Sequence, residues 1–166
     1  MLDAVGGFWS GLSPETRARV HVFLLSALPI AELRGGIPLG TALGMSWREA
    51  YLVAVAGNLA PVIPLFFALA PLTRFFERWA PTKRGIEWLF ARTRRRSGLI
   101  ERYEAVGLAL FVAVPLPMTG AWTGIIAAHL LGIRPRYALP AVVAGVAIAG
   151  AVVTLASQGV LRFWRL

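Results

Sequence analysis

The chain has 166 residues, 57% of them apolar, a mean hydropathy of +0.67 and a formal net charge of +9. That length admits at most one compact domain, and that apolar content excludes an ordinary soluble core. The absence of cysteine excludes disulfides and thiolate metal sites.

Thirteen of the 25 charged residues fall between Arg74 and Glu104, and the remainder of the chain is nearly charge-free. Such segregation describes a membrane protein with one substantial aqueous loop. Nine of the 17 basic residues lie in that loop, among Trp79, Trp88 and Phe90. Basic residues interleaved with aromatics point to anionic lipid headgroups as the partner, not to nucleic acid.

In chain order, Leu2, Val5, Phe8, Trp9 and Leu12 recur at roughly helical spacing, which predicts a short helix in the membrane interface. Ser13-Pro14-Glu15 then reads as N-cap, N1 proline and acidic first turn, so a helix is expected to start near 14. Arg17 and Arg19 precede an apolar run from Val20 to Ala31 that resembles a signal sequence. No small-residue cleavage site follows, and the run is expected to be retained.

His21 to Met45 is long enough to span, about 37 Å as a helix. Its middle nevertheless holds Pro29, Gly35, Gly36, Pro38 and Gly40. That cluster predicts a bent, re-entrant element that descends, turns and returns on the same side. Ala50–Leu72 is a better spanning candidate, apolar apart from Asn58 and kinked by Pro61 and Pro64. Thr73–Glu104 is split by Pro81; within it, Trp88-Leu89-Phe90 with Arg92, Arg94, Arg95 and Arg96 predicts a basic amphipathic surface helix, the alternative being a solvated linker. Residues 106–133 form a second bent segment around Pro115, Pro117, Gly120 and Gly124. A second span is expected over Tyr137–Gly159, with Ala141, Gly145, Ala149 and Gly150 as a small-residue packing face.

The bent segments are copies. An offset of 88 residues places Phe23 on Phe111, Pro29 on Pro117, Gly36 on Gly124, Gly44 on Gly132, Arg48 on Arg136 and Gly57 on Gly145. Over residues 23–68 there are 13 identities in 46 ungapped positions. Internal duplication is common in transporter folds. One hairpin plus one span per half makes the halves inverted; two full spans per half makes them parallel. A cytoplasmic loop satisfies the positive-inside tendency in both cases, and the matched proline and glycine clusters favour inversion.

Glu32 and Arg34 are the main candidates for chemistry, because charge at membrane depth is costly and usually functional. An arginine there can hold a phosphate or carboxylate through paired N–H donors, and a desolvated glutamate can take up and release a proton. At i,i+2 they do not face each other on a regular helix, so mutual neutralisation requires irregular backbone. Asn58 either lines the pathway or bonds freed backbone. Thr119, Trp122 and Thr123 match Ala31, Arg34 and Gly35 by the repeat, and either complete a site or satisfy the second bend. His129 is a weaker candidate for a proton relay. The sequence shows no metal cluster, cofactor motif or nucleophile–base pair, so an enzyme is not expected.

Glu32-Leu33-Arg34-Gly35-Gly36-Ile37-Pro38, Gly57-Asn58 and Pro115-Leu116-Pro117-Met118-Thr119-Gly120 resemble the putative small multidrug export protein family, a relative of the DedA superfamily, from about 20 to 160. The resemblance implies two re-entrant hairpins facing each other from opposite leaflets, and proton-coupled movement of lipids such as polyprenyl phosphates. Glu32 and Arg34 match the acidic and basic residues considered important in DedA relatives, and the second hairpin lacks an equivalent arginine. The expectation is therefore a single all-α integral membrane domain of two inverted repeats (about 20–72 and 105–160), each a re-entrant helical hairpin followed by a transmembrane helix, with the basic segment 73–104 between them. It is expected in the cell inner membrane with that loop cytoplasmic, as a homodimer without cofactors. Its expected substrate is an amphipathic or anionic lipid; the alternatives are a cationic drug exporter and a non-transporting assembly protein.

Overall fold

The computed structural model describes residues 11–76, 98–115 and 120–163. The expected interfacial helix at the start, the surface helix around Trp88, Pro81, Pro117 and Thr119 lie outside these residues. Among the described residues there are seven helices and no strand: α1 (Pro14–Ala27), α2 (Glu32–Ala42), α3 (Trp47–Leu59), α4 (Val62–Phe76), α5 (Gly98–Ala113), α6 (Ala121–Leu130) and α7 (Pro135–Phe163).

Local chemistry sets the boundaries. Ser13 caps α1, its hydroxyl accepting from the Thr16 N–H at 3.2 Å, with Pro14 in the first turn. Pro29 disfavours helical backbone at Leu28, which adopts φ −77° and ψ 137° and ends α1. Pro61 interrupts the first expected span, separating α3 from α4; at the matched position Ala149, α7 continues unbroken. Both ends of the aqueous segment are helical beyond the apolar limits, since α4 reaches Phe76 and α5 begins at Gly98.

The 88-residue repeat is reproduced bond for bond at the turn that follows α2 and α6. Leu43 N–H donates to Leu39 at 2.9 Å, Gly44 to Thr41 at 3.2 Å and Met45 to Gly40 at 3.0 Å. The matched bonds are Leu131 to Ala127 at 2.8 Å, Gly132 to His129 at 3.1 Å and Ile133 to Ala128 at 2.9 Å. Gly44 and Gly132 take φ of 84° and 70°, the left-handed conformation that closes such a helix end and that glycine adopts without steric cost.

The chain divides into two compact units, Met1–Asn58 with Gly150–Leu166, and Leu59–Ala149. Each contains a helix pair, the start of the following long helix, and the far half of the other repeat's long helix. In the first unit, α1 and α2 pack antiparallel. A Cβ at Gly35 would meet Leu25, one at Gly36 the Ser26 hydroxyl, and one at Gly40 Val22. Helix α3 runs parallel to α1, from the Arg19–Glu49 ion pair at 2.6 Å to the Gly57–Phe23 crossing and the Asn58–Ser26 bond at 3.2 Å. Val22, Ile37, Ala50 and Ala54 are fully buried between them. In the second unit, α6 packs on α4 and α5. Gly124 and Gly145 let α6 and α7 approach Val112 of α5, with Val142 and Val146 filling the core.

These contacts correct the expected bends. Gly35, Gly36 and Pro38 lie inside α2 and Gly124 inside α6. The glycines allow close helix packing rather than turning the chain. The first break is Leu28–Ala31, around Pro29; in the second half Pro115 lies past the end of α5 and Gly120 just before α6.

Two stretches are long and apolar enough to cross a membrane, Trp47–Leu69 with 23 residues and Pro135–Gly159 with 25. Only 28% of the first apolar window is buried and 50% of the second. Core helices of a soluble protein would be mostly buried. Here Leu52, Ile63, Phe67 and Leu155 are exposed, as lipid-facing side chains are.

Candidate functional site

Ser26, Glu32 and Arg34 flank the break between α1 and α2, and Asn58 of α3 bonds to Ser26. Glu32 opens α2 with φ 46° and is only 6% exposed. Left-handed backbone at a buried, non-glycine residue costs about 1–3 kcal/mol, and such strain concentrates at functional sites. Two helix-like bonds hold it: Glu32 N–H donates to the Leu28 carbonyl at 3.0 Å, and Gly35 N–H to Ala31 at 2.9 Å. Arg34, two residues on, is half-buried.

Ser26, in the last turn of α1, and Asn58, near the end of α3, are fully buried. The Asn58 amide donates to the Ser26 carbonyl at 3.2 Å, one of the carbonyls left over at the C-terminal end of α1. The Asn58 Oδ1 and the Ser26 Oγ have no hydrogen-bond partner. Leaving such an atom buried costs about 1–3 kcal/mol. Gly36 and Gly57 permit the arrangement, because a Cβ at Gly36 would collide with the Ser26 hydroxyl and one at Gly57 with the Phe23 carbonyl.

Glu32, Arg34 and Asn58 thus fall in the first unit, and Trp122 and Thr123 in the second. Thr123 donates its hydroxyl to the Gly120 carbonyl at 3.2 Å, so it satisfies the backbone at the start of α6. Trp122 is half-buried in that same first turn, and His129 lies in the last turn of α6. Ser26 was not singled out from the sequence. A lone hydroxyl in an apolar run carries little signal, although the offset of 88 places it on Val114. By the same offset Glu32 falls on Gly120, Arg34 on Trp122 and Asn58 on Val146. Every member of the polar set has a non-ionisable counterpart, and Val146 is as deeply buried as Asn58. At that position the second half buries an apolar side chain where the first buries an amide.

The family described as "Putative small multi-drug export protein" matches residues 32–152, which is 121 of the 166 residues and begins at Glu32 itself. The chain belongs to that family. No curated protein and no solved structure matches it. Membership in an export family, together with two apolar helices of spanning length, makes this small multi-drug export family member a membrane protein. Among the described residues no three His, Asp or Glu side chains group as metal ligands.

Proposed function

We propose that the protein is a proton-coupled transporter of an amphipathic, anionic lipid, working through the break between α1 and α2. Glu32 exchanges the proton, Arg34 holds the anionic group, and Asn58 with Ser26 supplies the polar lining. The observation that carries the reading is the polar set Ser26–Glu32–Arg34–Asn58, buried except for the half-buried Arg34, strained at Glu32 and matched in the second half by residues that cannot titrate. Polar groups kept where the repeat has non-ionisable ones point to a task.

Depth supports it. Asn58 is the twelfth of the 23 residues in the first candidate span, so its partner Ser26 belongs near the middle of the hydrocarbon. Arg19, on the same helix as Ser26, pairs with Glu49 at the start of that span. A helix that starts beside the beginning of a span and breaks beside its middle fits a re-entrant hairpin. One hairpin and one span per half then give the inverted arrangement, with both termini opposite the basic loop, which lies in the cytoplasm of an inner-membrane protein.

The test is lipid flipping in proteoliposomes. Arg34→Ala is expected to abolish flipping of a phospholipid or polyprenyl phosphate, and Arg34→Lys, which keeps the charge but loses the paired donors, to retain part of it. Unchanged flipping in Arg34→Ala refutes the anion anchor. The family's description favours a second reading, export of a cationic drug. That reading predicts competition between the cation and protons, lost in Glu32→Gln.

A further inference from the structure

We propose a second ligand site in the first unit, remote in sequence from Glu32 and Arg34: a slot between α3 and the end of α7 that takes the hydrocarbon chain of an anionic lipid, with Arg48 at its mouth. The cavity measures about 710 Å³ and is lined by Trp47, Tyr51, Ala151, Thr154, Leu155 and Gln158. That volume suits a drug-sized or single-chain ligand.

Its walls are apolar for identifiable reasons. The Thr154 hydroxyl donates to the Gly150 carbonyl at 2.7 Å, so its hydrogen is committed within α7 and it offers the slot no donor. The Tyr51 ring closes the deep end by lying against Gly150, where a Cβ would sit 2.8 Å from Tyr51 Cε2. Leu155 is 73% exposed, an apolar side chain with no protein cover. Gln158, near the end of the span, adds an amide to the lining.

Depth selects a chain over a compact ligand. Trp47 begins one candidate span and Gly159 ends the other, so the slot opens at a membrane–water interface. From Gly159 down to Ala151 it follows roughly 12 Å of helix axis, most of the roughly 15 Å half-thickness of a bilayer core.

Charge selects the headgroup. The Arg48 guanidinium lies over the Trp47 ring, its carbon 5.1 Å from the ring centre, and is exposed. The neighbouring acid, Glu49, is engaged by Arg19 at 2.6 Å. A guanidinium fixed by an aromatic ring at headgroup depth binds phosphate and disfavours organic cations.

The test is native mass spectrometry of the full chain, titrated with phosphatidylglycerol, phosphatidylcholine of the same acyl chains, and tetraphenylphosphonium. Wild type is expected to bind phosphatidylglycerol at least fivefold more tightly than phosphatidylcholine. Arg48→Gln is expected to bring that ratio near one, whereas Arg136→Gln leaves it unchanged. Ala151→Phe, which fills the slot, is expected to weaken both lipids at least tenfold. A phosphatidylglycerol with a diazirine at its chain end, photolysed with unmodified protein in nanodiscs, is expected to label Tyr51, Ala151 or Leu155, and this arm needs no folded variant. Equal binding of the two lipids, preference for tetraphenylphosphonium, equal loss in both arginine variants, or labelling only elsewhere overturns the proposal. Because none of these readouts depends on flux, failure of the transport reading leaves this one standing, and the reverse.

Discussion

Asn58 donates its amide to the Ser26 carbonyl at 3.2 Å, yet its own oxygen and the Ser26 hydroxyl are buried with no partner. That amide adds a second polar link between α1 and α3, beside the Arg19–Glu49 ion pair, and leaves two polar atoms open. In the second half the matched residues are Val146 and Val114, and Gly145 stands against Ala109 and Val112. Half-satisfied polar groups are a stability burden wherever apolar packing is an available solution.

Grafting the second half's residues into the first separates function from folding. Ser26→Val/Asn58→Val is expected to leave thermal stability in detergent unchanged or raise it by about 1–3 kcal/mol, since both orphan atoms disappear. Lipid flipping is expected to fall at least tenfold. A variant that is as stable and as active as wild type assigns the pair no task.

Glu32 combines a buried titratable group with left-handed backbone. Glu32→Gly relieves the backbone and is expected to raise stability by about 1 kcal/mol, after allowing for the added freedom of the unfolded chain. Glu32→Gln keeps the strain and removes the titratable group. Both are expected to lose the dependence of flux on the proton gradient, so melting temperatures and flux should move independently.

The glycines divide by what surrounds them. Gly57→Ala and Gly145→Ala push a methyl group into the backbone carbonyls of Phe23 and Ala109, which a side-chain rotation does not relieve. Each is expected to lose about 1–3 kcal/mol in a thermal melt. Gly107, in the interior of α5 with nothing within 4 Å of a new methyl group, is expected to gain about 1 kcal/mol on substitution by alanine.

Topology follows from the hairpin. Cysteines introduced one at a time into this cysteine-free chain, at the two termini and in the 77–97 segment, should label from opposite sides of the membrane. Labelling of termini and loop from the same side is incompatible with a re-entrant first hairpin and an inverted second half.

Much of this organisation was legible before the fold. The 88-residue offset paired Gly44 with Gly132, and the structure gives the reason: a helix end that needs positive φ keeps a glycine in each copy. Ser13-Pro14-Glu15 marked the start of α1 by capping chemistry alone. The bend was drawn too wide, from Pro29 through Gly35, Gly36 and Pro38, since glycine weakens an isolated helix and equally permits close packing of a paired one. Only the partner helix distinguishes those roles. Ser26 was hidden because its significance lies in a contact 32 residues away. The left-handed Glu32 has no signature in composition or spacing.

Simultaneous recording of proton uptake and lipid movement in proteoliposomes tests the coupling assigned to Glu32 and Arg34 most directly. Wild type is expected to flip a phosphate-bearing lipid faster under an imposed proton gradient, with proton influx that requires the lipid, and Glu32→Gln is expected to abolish both. Flipping indifferent to the gradient, or wild-type coupling retained in Glu32→Gln, would contradict it.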